Sequence, residues 1–355
     1  MATKAQYVFF RESLMRWHRE QNDRSLPWKG ERNAYRIWLS EIILQQTRAA
    51  QGLDYYLKFT RTYPDIRSLA AAPDEEVFRL WQGLGYYNRC RNMLATARFI
   101  SDTYQGRFPD TYDEILALKG VGPYTAAAIA SFAFDLPHAV VDGNVYRVLS
   151  RFFAIETPVD STEGKRIFAS LAQELIDADS PAAYNQAIMD LGATVCTPAA
   201  PLCMFCPLAE RCAAYRQNLT GLLPVKEKKL SVQTRHFNYV VMRSGDSVWI
   251  RQRKEKGIWQ DLHEFLLIET PEAATLKQIE KEIKQLTTAR VALRHIGSLR
   301  QRLTHQLILS EFYEAQLSAQ LTVPDTEGFW VDISELQRFA FPKTMVSFIA
   351  AHLHG

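Results

Sequence analysis

Cysteine is scarce in this chain, with five residues in 355, and four of the five fall between positions 196 and 212. A disulfide scaffold would spread its cysteines over the fold, so thiols gathered in one segment speak against one. No apolar run approaches the ~20 residues needed to cross a bilayer. There is no internal repeat and no low-complexity tract, and the stretch from Met1 to Gln6 does not resemble a signal peptide. No membrane association and a cytoplasmic location are therefore expected. Neither charge sign dominates: 42 Lys and Arg stand against 39 Asp and Glu, a formal net charge of +3. That balance permits a nucleic-acid partner without requiring one, because a local basic face counts for more than the sum.

What is present suits two globular domains: 47% of the residues are hydrophobic, and the length is about twice a domain of roughly 150 residues. From Tyr7 to about Tyr215 apolar residues recur at three and four, as in Tyr35, Ile37, Trp38, Leu39, Ile42, Ile43 and Leu44, which predicts an all-α half. Pro64, Pro73, Pro109, Pro123, Pro137, Pro158 and Pro181 divide it into helices of ordinary length. Leu222 to Leu230, with a proline and a charge cluster, reads as a linker. Beyond it the period shortens. Phe237 to Met242 and Val248 to Arg253 predict a hairpin through Ser244-Gly245-Asp246. A helix over Glu272 to Leu286 and strands near Val291 to Leu299 and Gln306 to Tyr313 complete an α+β domain. The expected boundaries are 1–220, a linker at 221–234, and 235–355.

Cys196, Cys203, Cys206 and Cys212 are separated by six, two and five residues. Zinc sites usually pair two short C-x2-C or C-x4-C units across a long loop, whereas one C-x2-C flanked by single cysteines fits a 4Fe-4S cube better. Zinc remains the second reading. Cys90, alone in a helical stretch, reads as a buried spare thiol.

Leu118 to Ala126 has the form hxGxGxxxA between two helical patterns. Gly120 and Gly122 would let backbone N–H groups approach a phosphate, helped by the following helix dipole; a plain tight turn is the alternative. Two carboxylates stand out. Glu41 lies among apolar helix neighbours, where burial would raise its pKa toward that of a general acid, unless it faces solvent. Asp142, after Ala139-Val140-Val141 and before Gly143-Asn144, suits either an exposed carboxylate at a helix mouth or an ordinary helix N-cap.

Taken together, LPWK at 26–29, WLSEIILQQTR at 38–48, WQGLGYYNR at 81–89, LKGVGPYTA at 118–126, VDGNVYRV at 141–148 and the four cysteines resemble the endonuclease III (helix-hairpin-helix) superfamily of DNA glycosylases, and closely its adenine glycosylase branch, the MutY family. The resemblance covers most of residues 24–212. It implies a multidomain chain: an all-α helix-hairpin-helix glycosylase domain with a 4Fe-4S cluster loop at 196–212, then an α+β MutT-like (Nudix-fold) domain. It implies a monomer acting on double-stranded DNA, in a bacterial cytoplasm at the nucleoid, to remove adenine opposite 8-oxoguanine or guanine in base excision repair.

The roles carried over are these. Glu41 protonates the adenine and Asp142 stabilises the oxocarbenium-like sugar, while Tyr124 lines the active site and Asn144 orients the catalytic groups. Arg24, Leu26 and Trp28 line the adenine pocket. Gln46, Thr47 and Tyr86 contact the opened helix, and Lys119, Gly120, Val121 and Gly122 hold its backbone. Bifunctional relatives carry a lysine where this chain has Tyr124, and tyrosine cannot form an imine, so a monofunctional enzyme is implied. In the second domain, Lys256-Gly257-Ile258-Trp259 to Glu264-Phe265 is the clearest Nudix remnant, yet the metal-binding motif REUxEE is absent. Leu303-Thr304-His305 stands where the family reads 8-oxoguanine with Phe-Ser-His, keeping the histidine and a hydroxyl. Other readings are a glycosylase for a different lesion and a DNA-binding redox sensor without catalysis.

Overall fold

The structure, a computed structural model, describes residues 3–227, 231–287, 291–321, 323–324 and 327–353. Lys228, Lys229 and Leu230 of the expected linker, and Met1 and Ala2, lie outside the described residues. Contacts divide the chain into two compact units, one of Met1–Ala71 with Asn92–Lys229 and one of Ala72–Arg91 with Leu230–Gly355. The helical half is therefore not contiguous as the linear boundaries have it: twenty residues that precede and begin one of its helices belong with the C-terminal unit.

The helices are α1 Lys4–Glu20, α2 Ala34–Leu44, α3 Ala49–Thr62, α4 Ile66–Ala71, α5 Asp74–Trp81, α6 Tyr87–Thr103, α7 Tyr112–Ala117, α8 Pro123–Phe134, α9 Gly143–Phe153, α10 Thr162–Leu175, α11 Pro181–Thr194 and the short α12 Ala213–Arg216. Their ends follow from local chemistry. Asn33 and Asp142 accept from backbone N–H groups to cap α2 and α9, Ser161 caps α10, and Pro123 and Pro181 open α8 and α11, where a missing N–H costs nothing. In the first unit α9 packs on α11, α2 on α8, and α1 on α11. Phe10 and Leu14 of α1 meet Val145, Leu149 and Phe152 of α9, Phe168 of α10 and Ile188 and Leu191 of α11 in one apolar core. The Phe10 and Phe152 rings stand edge-on, 4.9 Å between centroids.

Residues 222–227 do not run as a free linker. Leu223 is buried and its carbonyl accepts from Arg151 Nε at 3.0 Å, the Val225 carbonyl accepts from Val159 N at 3.0 Å, and Asp160 holds Glu227 N at 2.9 Å. Pro224 is half-buried in this strap, and Lys226 and Glu227 are exposed on it.

The second unit is built on a sheet of β1 Gln233–Ser244, β2 Ser247–Gln252, β3 His263–Glu264, β4 Leu266–Thr270, β5 Arg294–Arg302, β6 Gln306–Gln316 and β7 Gly328–Asp332, with helices α13 Leu276–Thr287 and α14 Lys343–His352. The main order is β3-β2-β1-β6-β5, with β4 joined to β1 and β7 to β2. The expected hairpin at Gly245 is present, but β1 pairs β6 in parallel, and β3, β4, β7 and α14 have no counterpart in the sequence reading. Alternation along β1 assigns the faces. Val240 and Met242 share a core with Ile279 and Ile283 of α13, while Tyr239 stacks on Phe312, which stacks at 3.9 Å on Phe348 of α14. No described helix is long and apolar enough to cross a membrane.

Candidate active site

In the first unit α2, α8, α9, α11 and the 22–32 segment enclose a cavity of about 910 Å3. Arg24, Leu26, Trp28, Glu41, Gln46, Thr47, Tyr124, Asp142 and Asn144 all line it. Trp28 is braced edge-on by Tyr56 at 5.5 Å.

Glu41 is buried because α2 has no polar face at this point: Ile37, Trp38, Leu39, Ile42 and Ile43 around it are also buried, and Glu41 is 9% exposed. Loss of water pushes its carboxyl up to about 7; a hydrogen bond with Tyr124 opposes the shift and the charge of Asp142 adds to it. The Tyr124 hydroxyl also lies 3.6 Å from Met189 Sδ, and its burial beside two carboxyls holds the phenol well above its ordinary value.

Asp142 is the N-cap of α9, and it is half-buried at the cavity wall, not exposed. Its extended backbone caps α9, with Oδ1 accepting from Asn144 N and Val145 N at 2.8 Å each, while Oδ2 accepts from Asn144 Nδ2 at 2.8 Å. Burial raises its pKa; these donors and the nearby Arg147 pull the other way without cancelling the shift. Arg147, buried on α9, donates to Asn144 Oδ1 at 2.8 Å, to the Gly192 carbonyl at 2.6 Å and to the Cys196 carbonyl at 2.6 Å. One turn on, Arg151 donates to the Thr197 and Pro198 carbonyls at 2.7 and 2.9 Å and approaches Cys196 Sγ at 3.4 Å. A single helix face thus ties the Asp142 carboxylate to the cysteine loop.

Cys196, Cys203, Cys206 and Cys212 line one small cavity of about 20 Å3 together with Arg151. Burial raises the Cys203 and Cys212 thiols and pushes Cys206 up to about 12. Among the described residues no three His, Cys, Asp or Glu side chains converge closely enough to hold one metal ion. Cys90 is fully buried in α6.

The hairpin between α7 and α8 needs Gly120, which has φ +80° and on which a Cβ would come within 2.8 Å of Asn92 Cβ. Gly122 has an ordinary negative φ, Val121 is buried, and exposed Lys119 gives its carbonyl to Thr96 Oγ1 at 2.8 Å. Gln46, exposed beyond α2, takes a left-handed φ of 56°. Tyr86 and the Leu303-Thr304-His305 turn belong to the second unit, where the Tyr86 hydroxyl hydrogen-bonds Thr304 Oγ1. Tyr86 is 46% exposed with the Arg89 guanidinium over its ring, whereas Tyr87 is a core aromatic. Glu264 of the Nudix remnant is buried and paired to Arg251 at 2.7 Å and Arg253 at 3.1 Å.

Several residues that sequence reasoning passed over hold this site. Asn185 on α11 donates to the His138 carbonyl at 2.9 Å and accepts from Val140 N at 3.1 Å, fixing the irregular segment that leads into Asp142. Lys29, Gln186, Met189 and Asp190 stand at or behind the cavity wall. Lys29 and Arg147 fall inside the LPWK and VDGNVYRV motifs, whereas Gln186 and Asp190 were marked only by their spacing of four on one helix.

A model of the HhH-GPD superfamily base excision DNA repair proteins matches residues 39–177, and a NUDIX domain model matches 238–351. An adenine DNA glycosylase of Buchnera aphidicola subsp. Schizaphis graminum is 30% identical over 344 residues, covering 95% of this chain and 96% of the relative. The chain belongs to the adenine DNA glycosylase family. The Mus musculus adenine DNA glycosylase is 44% identical over 228 residues, 62% of this chain and 44% of the mouse protein. Among solved structures, a thermostable thymine-DNA glycosylase matches with TM-score 0.57 and 29% identity over 61% of this chain and all of its own. Endonuclease III in a non-covalent DNA complex matches at 0.53 and 23% over 62% of this chain and 99% of that one, a likeness of fold. As a member of the adenine DNA glycosylase family the protein is a DNA N-glycosylase, a hydrolase.

Proposed function

We propose that this glycosylase binds double-stranded DNA as a monomer, extrudes an adenine mispaired with 8-oxoguanine or guanine, and hydrolyses its N-glycosidic bond. The observation that carries the reading is the pairing, in one cavity, of a water-shielded acid with a carboxylate in a bed of N–H donors. Glu41, at about 7, keeps a proton at neutral pH for the departing purine, which leaves uncharged, and then takes one from the attacking water. Asp142, held by three N–H donors, carries the negative charge that answers the oxocarbenium-like sugar. Asn144, itself anchored by Arg147, keeps that carboxylate aimed, and Tyr124 orients Glu41.

No strand cleavage through an imine is expected. Tyr124 occupies the point where a nucleophilic lysine would act, and the lysine that lines the cavity, Lys29, is held by Asp190 at 3.1 Å and the Arg24 carbonyl at 2.8 Å. Damage opposite the adenine is read by the Leu303-Thr304-His305 turn with Tyr86, hydroxyl and histidine offering hydrogen bonds and Leu303 only bulk. Gln46 and Thr47 at the cavity mouth and the Lys119-Gly120-Val121-Gly122 turn grip the opened duplex.

The four cysteines suit a 4Fe-4S cluster: they face one cavity, Arg151 offers an N–H toward Cys196 Sγ, and a cube distributes its thiolates over four irons where a zinc ion would draw all four to one centre. Bound there, the cluster would hold the 196–212 loop, with Cys196 fixed to α9 through Arg147. Incubation with a duplex carrying adenine opposite 8-oxoguanine, followed by alkali, should yield a strand break at the adenine, and Glu41→Gln should abolish it while keeping DNA affinity. Absence of any alkali-labile product from the unaltered protein leaves only a binding role. A borohydride-trapped covalent adduct would contradict the monofunctional reading.

A further inference from the structure

These roles call on Asp190, a fully buried carboxylate on α11, only as the partner that holds Lys29. Its Oδ1 accepts from Arg24 Nη1 at 2.7 Å and Gln186 Nε2 at 3.0 Å, and its Oδ2 from Asn22 Nδ2 at 2.9 Å and Lys29 Nζ at 3.1 Å. Both oxygens are thus saturated by donors, and burial, which alone would raise the carboxyl, is outweighed by the bonds from Asn22, Arg24 and Lys29, which hold it below the usual range. Three of the four donors belong to the 22–29 segment, a stretch between α1 and α2 with turns but no helix or strand. Lys29 closes a ring by donating to the Arg24 carbonyl, and Asn22 also meets His18 Nδ1 at 2.9 Å. A backbone without its own ladder keeps its place only through such ties, and this one carries Arg24, Leu26, Trp28 and Lys29 into the cavity wall.

We propose that Asp190 is a positioning residue: the buried anion on α11 pins the 22–29 segment as one wall of the base pocket and balances the Arg24 and Lys29 cations at its edge. The role is indirect, through the wall it holds. Its catalytic consequence rests on the adenine reading above; its effect on the segment does not. Asp190→Asn preserves the shape but turns an N–H2 group toward two of the four donors, whereas Asp190→Ala removes every tie.

The full chain and both variants are compared by amide hydrogen exchange without DNA and by single-turnover adenine release at saturating enzyme. Expected for Asp190→Asn are at least tenfold faster exchange over 22–29 with α2 and α9 unchanged, at least tenfold slower release, and a duplex Kd within about twofold. Unchanged protection over 22–29 overturns the proposal, as does unchanged release from a loosened segment. Loss of protection spreading equally through α2 and α9 also overturns it, since Asp190 would then be an ordinary core residue. Should Asp190→Ala fail to fold, Asp190→Asn decides. If the unaltered protein releases no adenine, the functional reading fails while the exchange comparison still judges the clamp.

Discussion

At the residue scale, Glu41 sets a pH signature. An acid that must be protonated to act, with a pKa of about 7, predicts base release under single-turnover conditions that falls as pH rises through about 7, roughly tenfold per unit above it. The same shift makes a stability statement of definite sign. The folded protein binds this proton more tightly than the unfolded chain, so the favourable contribution is complete below about 4.5 and is lost as pH climbs through about 7. Glu41→Gln should therefore raise stability at pH 8 relative to the parent by about 1–3 kcal/mol, with little difference at pH 4.5; thermal melts at both pH values measure it. Neither Glu41 nor Asp142 is decisive in the sequence, because a glutamate in a helix is buried or exposed according to what packs on it.

At the element scale, α9 and the hairpin carry separable tasks. Arg147→Met would leave the Asn144 Oδ1 and the Gly192 and Cys196 carbonyls short of a donor, at a cost of about 3 kcal/mol in denaturant unfolding. Base release should slow with it while the pH midpoint set by Glu41 stays in place. Gly120→Val, at φ +80° and against Asn92, should cost about 2 kcal/mol by the same assay and weaken duplex affinity, leaving single-turnover release at saturation within a fewfold of the parent. Helix limits were legible because proline and capping residues act over three or four positions. The partner of Arg147 was not, since the Cys196 carbonyl lies 49 residues along the chain.

At the scale of the whole molecule, the units do not follow the sequence. Ala72–Arg91 precedes most of the helical domain yet is bound into the C-terminal unit: Arg91 donates to the Gln260 carbonyl at 2.7 Å and pairs with Asp261 at 3.1 Å, and Glu75 accepts from Ala340 N at 2.7 Å. Arg91→Met should loosen the 253–262 loop by about 1–3 kcal/mol, seen as faster amide exchange there with β1 and β6 unaffected. What the sequence alone determined is what short-range chemistry writes down. It carries the 3.6- and 2-residue periods that separate a helical half from a sheet-bearing one, the cysteine spacing, and the motifs that mark the glycosylase family. Tertiary structure alone decided which carboxyl loses its water, that the supposed linker straps onto α9, that β1 and β6 run parallel, and that Asp190 is saturated by donors from a distant segment. Burial and long-range pairing depend on which surfaces meet, and no local pattern of residues specifies that meeting.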